Sequence, residues 1–167
     1  MEDFTLDIEN MLEKKLVLYK QLNGLLKEER EFIVNIDIDS LWKTAELKKK
    51  TAAKIQDLKE NIFLYLKTRF NLNDISITSF SISYLIRTIH LPESFKIKLK
   101  KIKLAIENEK NELAQVAFEN KKYVQEYLCI IDDVMSVAVE NSRHAQYDLS
   151  GTMPGTPNSN HLIHAQV

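Results

Sequence analysis

Four histidines, one cysteine and scattered carboxylates are the residues of this chain that could do chemistry. Glu140 and His144 stand four residues apart and would share one face of a helix. A di-metal carboxylate bundle, however, needs a Glu-x-x-His pair on each of two helices with further Glu ligands, and that pattern is absent. His161 and His164 have no cysteine nearby to complete a zinc set. Cys129 sits among apolar residues at helical spacing, where a thiol is expected to be inert core rather than a nucleophile. No Ser, Thr or Cys comes with a base and oxyanion donors in a sequence motif, and there is no glycine-rich phosphate loop. The expectation is a protein that binds rather than catalyses, with no metal and no cofactor.

The elements that would carry such residues are set by what is missing. Between Leu25 and Ser150 there is no glycine and a single proline, Pro92. A stretch of that length rich in Lys, Glu, Leu and Ile reads as long helices. At 167 residues one domain is expected. Charged residues are 28% and apolar residues 44%, a balance that suits a folded rather than a disordered chain. The net charge of −1 argues against a free-standing nucleic-acid binder. A lone cysteine fits a reducing compartment. Met1-Glu2-Asp3-Phe4 lacks the basic start of a signal peptide, and an apolar run such as Ile62 to Leu66 is far short of the ~20 residues that span a bilayer. A cytoplasmic location without membrane insertion is expected.

Phe4, Ile8, Met11, Leu18, Leu22, Leu25, Phe32 and Ile36 recur at steps of three and four, interrupted by Lys15 and Glu29. They predict a first helix of roughly 30 residues. Gly24 lies inside it as a tolerated cost of about 1 kcal/mol. The short acceptors of Asn35 to Ser40 predict a boundary and an N-cap. A second helix follows through Leu41, Ala45, Leu47, Ala52, Ile55, Leu58, Ile62, Leu66 and Phe70, with Lys48, Lys49 and Lys50 on a solvated face. The short link makes the two an antiparallel hairpin. Residues 71–83 alternate like a strand, but a lone strand has nothing to pair with. A loop capped by Thr78 or Ser79, then a short helix through Phe80, Leu85, Ile86 and Ile89, is expected instead. Pro92 suits the first turn of a third helix reaching about Arg143. Gly151, Pro154, Gly155 and Pro157 then mark a loose tail. The expected fold is all-α: an elongated antiparallel bundle or coiled coil of three long helices plus one short one over 1–145, with a flexible tail over 146–167.

The third helix changes along its length. Lys96 to Glu112 holds six apolar residues in seventeen, and Tyr123 to Val139 holds twelve in seventeen. A first row runs through Phe95, Leu99, Ile102, Ile106, Glu109, Leu113, Val116, Asn120, Tyr123, Tyr127, Ile130, Val134 and Val137. Beside its later part a second row appears: Val124, Leu128, Ile131, Met135 and Val139. A helix pair buries one such stripe, so the second row needs separate cover. Three covers are open: the short helix or the start of the first helix folding over it, an amphipathic partner helix, or a second copy of the chain. Asn120 within the row is expected either to fix register or to be partly exposed, rather than to do chemistry.

The order of these features resembles FlgN-type flagellar export chaperones over about Leu12 to Gly151. Glu28-Glu29-Arg30 with Ile33, then Asp39-Ser40-Leu41, is similar to the family's first hairpin. Phe80 to Ile89 resembles its short middle helix, and Glu119-Asn120-Lys121-Lys122 with Tyr123, Val124 and Leu128 its last-helix motif. Tyr147 followed by Gly151 resembles the family's Tyr-x-x-x-Gly ending. The chain departs where Ala117 replaces the first of a pair of Asn three apart, and where Glu60 is followed by Asn61 rather than an Arg. The resemblance implies a cytoplasmic type III secretion chaperone. Its clients would be helical C-terminal segments of hook-associated (hook–filament junction) proteins, kept from premature assembly and delivered to the export gate. It places client binding at Val124, Leu128, Ile131, Met135 and Val139, with Tyr147 as a contact for the export gate. The alternatives are a structural coiled-coil adaptor that self-associates through its last helix, and a secretion chaperone of another family. The chain itself would be a monomer or weak homodimer.

Overall fold

The computed structural model describes residues 2–70, 82, 83, 86 and 91–144, with side chains for 4–69, 82, 83, 86 and 91–140. The fold is all-α. Helix α1 spans Glu2–Val34, α2 spans Ile38–Phe70 and α3 spans Glu93–His144. Ile82, Ser83 and Ile86 are helical, in the stretch expected to form a short helix. Among the described residues there is no strand. The loop caps Thr78 and Ser79, and the tail over 146–167, lie outside the described residues. The chain divides into two units, Met1–Val124 and Gln125–Val167.

In the first unit α1 and α2 form an antiparallel hairpin. The Phe4 ring stacks on Tyr65 at 6.0 Å, and the Tyr65 hydroxyl donates to Asp7 at 2.7 Å. Toward the turn, Lys48 pairs with Glu29. Helix α3 runs alongside α1 in the same direction, tied in order by Lys98 to Glu9, Asn23 to Glu109, Lys27 to Glu112 and Arg30 to Glu119. The deepest apolar packing joins the start of α1 (Phe4, Ile8, Leu12), the end of α2 (Ile62, Leu66) and the start of α3 (Phe95, Leu99) with Leu91. Ile82 and Ile86 pack against this same cluster.

The buried row of α1 is turned by one residue from the expected one. Past Ile8 it follows Leu12, Lys15, Asn23, Leu26 and Ile33, while Met11, Leu18, Leu22, Leu25 and Phe32 are half-buried flanks. The cause is that polar side chains hold core positions, which a search for apolar residues passes over. In α2, Thr44 is buried, while Leu47 and Ala52, expected inside, are exposed. Lys48 belongs to the hairpin interface rather than to a solvated face, which Lys49 and Lys50 do occupy. A Cβ added at Gly24 would meet nothing within 4 Å, so its cost is that of helix propensity alone.

The α1–α2 turn explains itself residue by residue. The amide of Ile36 donates to Ile33 O at 3.1 Å and that of Asp37 to Phe32 O at 2.9 Å, closing α1 in a Schellman motif. The left-handed position of that motif is normally glycine, and here Ile36 occupies it with φ 55°. Ile36 is therefore exposed beyond the helix and does not continue the buried row. Asp37 then caps α2. Its Oδ1 accepts from the Ser40 amide at 3.1 Å and its carbonyl from Leu41 at 3.0 Å. Hydrogen bonds from Ser40 hold the Asp37 carboxyl below the usual range. Pro92 sits one position earlier than expected, as the residue whose carbonyl accepts from Phe95 and Lys96 at 3.0 Å.

Candidate partner-binding surface

Before its last apolar stretch, α3 is keyed to α1 by a polar node. Asn120 is 3% exposed. Its Nδ2 donates to Leu26 O at 2.7 Å and to Glu29 Oε2 at 3.1 Å, and its Oδ1 accepts from Arg30 Nε at 3.2 Å. Arg30 also pairs with Glu119 and lies 5.9 Å from the Tyr123 ring centroid. Hydrogen bonds from Gln115 first, and from Arg30, keep the Glu119 carboxyl below its ordinary range. Glu28-Glu29-Arg30 and Glu119-Asn120, two of the stretches that carry the family resemblance, thus meet in one network. A second amide, Asn23, donates to Glu109 O at 3.0 Å and to Glu109 Oε2 at 2.6 Å, while its own Oδ1 is buried without a partner. Both amides bond across from one helix to the other, an arrangement of the kind that can favour one alignment.

Past this node, burial stops. Val116 and Asn120 are the last buried residues of the first row. In that row Ile130, Val134 and Val137 are 57%, 62% and 57% exposed. In the second, Leu128, Ile131 and Met135 are 59%, 58% and 56% exposed, and Val124 and Val139 are exposed too. The expectation that the first row stays covered therefore fails beyond Tyr123, and both rows are open. The start of α1, with Ile82 and Ile86, packs into the core of the first unit.

At 3.6 residues per turn the apolar residues from Tyr123 to Val139, Cys129 apart, fill an arc of about 200°. The buried positions of the same helix between Phe95 and Asn120 fill an arc of about 100°. Nine large apolar side chains from Tyr123 to Val139 are exposed, and grouped apolar exposure marks an interaction surface. Polar residues form a narrow strip in which Asp132 borders one edge of the arc and Asp133 lies toward the other. Cys129 is exposed within that strip rather than buried in a core as expected.

Of the residues expected to contact a partner, Val124, Leu128, Ile131, Met135 and Val139 lie on one exposed face of α3, and Tyr147 lies outside the described residues. Sequence reasoning missed another apolar surface. Val34, Ile36, Ile38 and Trp42 are all exposed at the α1–α2 corner, Trp42 by 71%, and Phe118 is exposed on α3. The signal was present in Ile36 and Ile38, apolar residues at the boundary between the two helices. Among the described residues no three His, Cys, Asp or Glu group as metal ligands, and no helix is long and apolar enough to cross a membrane. No family model, curated protein or solved structure matches this chain.

Proposed function

We propose that this protein is a cytoplasmic export chaperone of the FlgN type. It holds amphipathic helical C-terminal segments of hook-associated proteins, prevents their premature assembly and delivers them to the flagellar type III export gate. The observation that supports this most is the open double row of α3 from Val124 to Val139. A helix apolar over more than half its circumference loses solvation free energy until another helix lies on it. Amphipathic client helices supply that cover, read at spacings of three and four residues. The meeting of the two resembling stretches at Asn120 and Arg30 adds support. Tyr147 is assigned to the export gate by the resemblance.

The test is binding of a purified hook-associated C-terminal segment to the full chain and to Leu128→Asp and Ile131→Asp. Affinity should fall at least about 100-fold for either variant, the scale of losing one central apolar anchor. Because both positions are exposed, helicity and melting temperature should be unchanged. Retained binding, or collapse of far-UV helicity, would exclude the assignment. A concentration-dependent dimer abolished by the same variants would replace it with a self-associating coiled-coil adaptor.

A further inference from the structure

Charge divides α3 as sharply as burial does. Glu93 to Lys122 carries eight Lys and five acidic residues, whereas Tyr123 to Glu140 carries four acidic residues and no Lys or Arg. Asp132 and Asp133, both exposed, lie on the two sides of the polar strip that bounds the apolar arc. The surface is thus an apolar band with acidic borders, and only some occupants can lie on it.

We infer that the occupant is an amphipathic helix whose apolar face is edged by Lys and Arg, a conclusion that rests on the docking surface proposed above. A second copy of this segment would bring Asp132 and Asp133 of both chains together, where like charges oppose pairing. An anionic membrane surface likewise opposes Asp132 and Asp133. Residues 145–167 of this chain contain no Lys or Arg, so they lack the matching charge. A helix with basic edges satisfies both features at once: its apolar side covers the rows and its ammonium or guanidinium groups reach the borders. Such rim charges set the choice of partner and the rate of encounter more than the total affinity.

Two synthetic 18-residue amphipathic helices test this. They share one apolar face and differ only in edge residues, all Lys or all Glu. Each is titrated into the full-length protein by fluorescence anisotropy at low and high NaCl. The Lys-edged peptide should bind about tenfold more tightly at low salt, and salt should erode the difference. The double variant Asp132→Lys/Asp133→Lys, checked for unchanged helicity, should reverse the order. Equal affinity for both peptides overturns the charge inference and leaves apolar docking standing. Binding of neither overturns the docking surface itself. Salt-strengthened dimerisation of the free protein that blocks the peptides, or preference for anionic vesicles over the Lys-edged peptide, assigns the face to another occupant and also overturns the inference.

Discussion

Replacing Asn120 by Ala should separate register from mere packing. The side chain makes three hydrogen bonds across α1 and α3: to Leu26 O, to Glu29 and from Arg30. A neutral hydrogen bond contributes about 1 kcal/mol net, and one to a charged group about 1.5–3 kcal/mol. Glu29 and Arg30 keep other partners in Lys48 and Glu119, so the charged contributions fall at the low end. The expected loss is roughly 4 kcal/mol. For a chain of this length that corresponds to a melting temperature lower by about 8–16 °C. Urea unfolding should show a lower midpoint with an unchanged slope. Crossing Asn120→Ala with Arg30→Ala should give a coupling of about 1 kcal/mol, since the pair is in direct contact. Asn120→Leu should cost less than Asn120→Ala, because it refills the site with apolar volume, yet it removes the feature that distinguishes one alignment of the helices from another. A melting temperature within about 2 °C of the parent, or zero coupling, would refute the node as the key of the α1–α3 interface.

Two further substitutions test other parts of the first unit. Ile36→Gly should stabilise by about 0.5–1 kcal/mol, because it relieves a left-handed β-branched residue whose side chain is exposed; a lower urea midpoint would show that the Ile36 side chain contributes contacts instead. Lys15→Met should raise the melting temperature at neutral pH by a few degrees. Burial, and then the charges of Lys110 and Lys59, hold the Lys15 ammonium below its usual pKa of 10.5. The unfolded chain thus binds more protons than the folded one between the lowered value and 10.5, so the parent gains stability as pH rises through that window. Below the window the penalty is fully present. The variant should lose that alkaline gain, which urea midpoints measured from pH 7 to 10.5 would report.

Much of this fold was legible because helices of this composition have few alternatives. The three long helices and the hairpin boundary followed from spacing and from the absence of breakers. The exact buried face of α1 did not. Asn23 occupies a core position where apolarity steers the row to Leu22, and apolarity does not separate Met11 from the buried Leu12. At the α1–α2 turn, Ile36 looks like one more step of the stripe. The Schellman geometry that ejects it depends on backbone hydrogen bonds that no side-chain pattern encodes. The apolar excess of Tyr123 to Val139 was visible in composition. What could not be read there was the extent of exposure, because a first row continuous in sequence loses its cover at Tyr123.

The open half of α3 also has a thermodynamic consequence. Val124, Ile130, Ile131, Val134, Val137 and Val139 are β-branched, and such residues propagate a helix less well than Leu or Ala. Packing in an ordinary protein offsets that deficit, but the side chains here are exposed. The segment continues a helix that begins upstream, so each further turn extends a helix already nucleated. Amide protection along α3 should therefore decline from Asn120 toward His144 as a gradient, rather than ending at one opening event. A ligand that covers the rows would act first on that gradient, adding protection where the helix has least of its own.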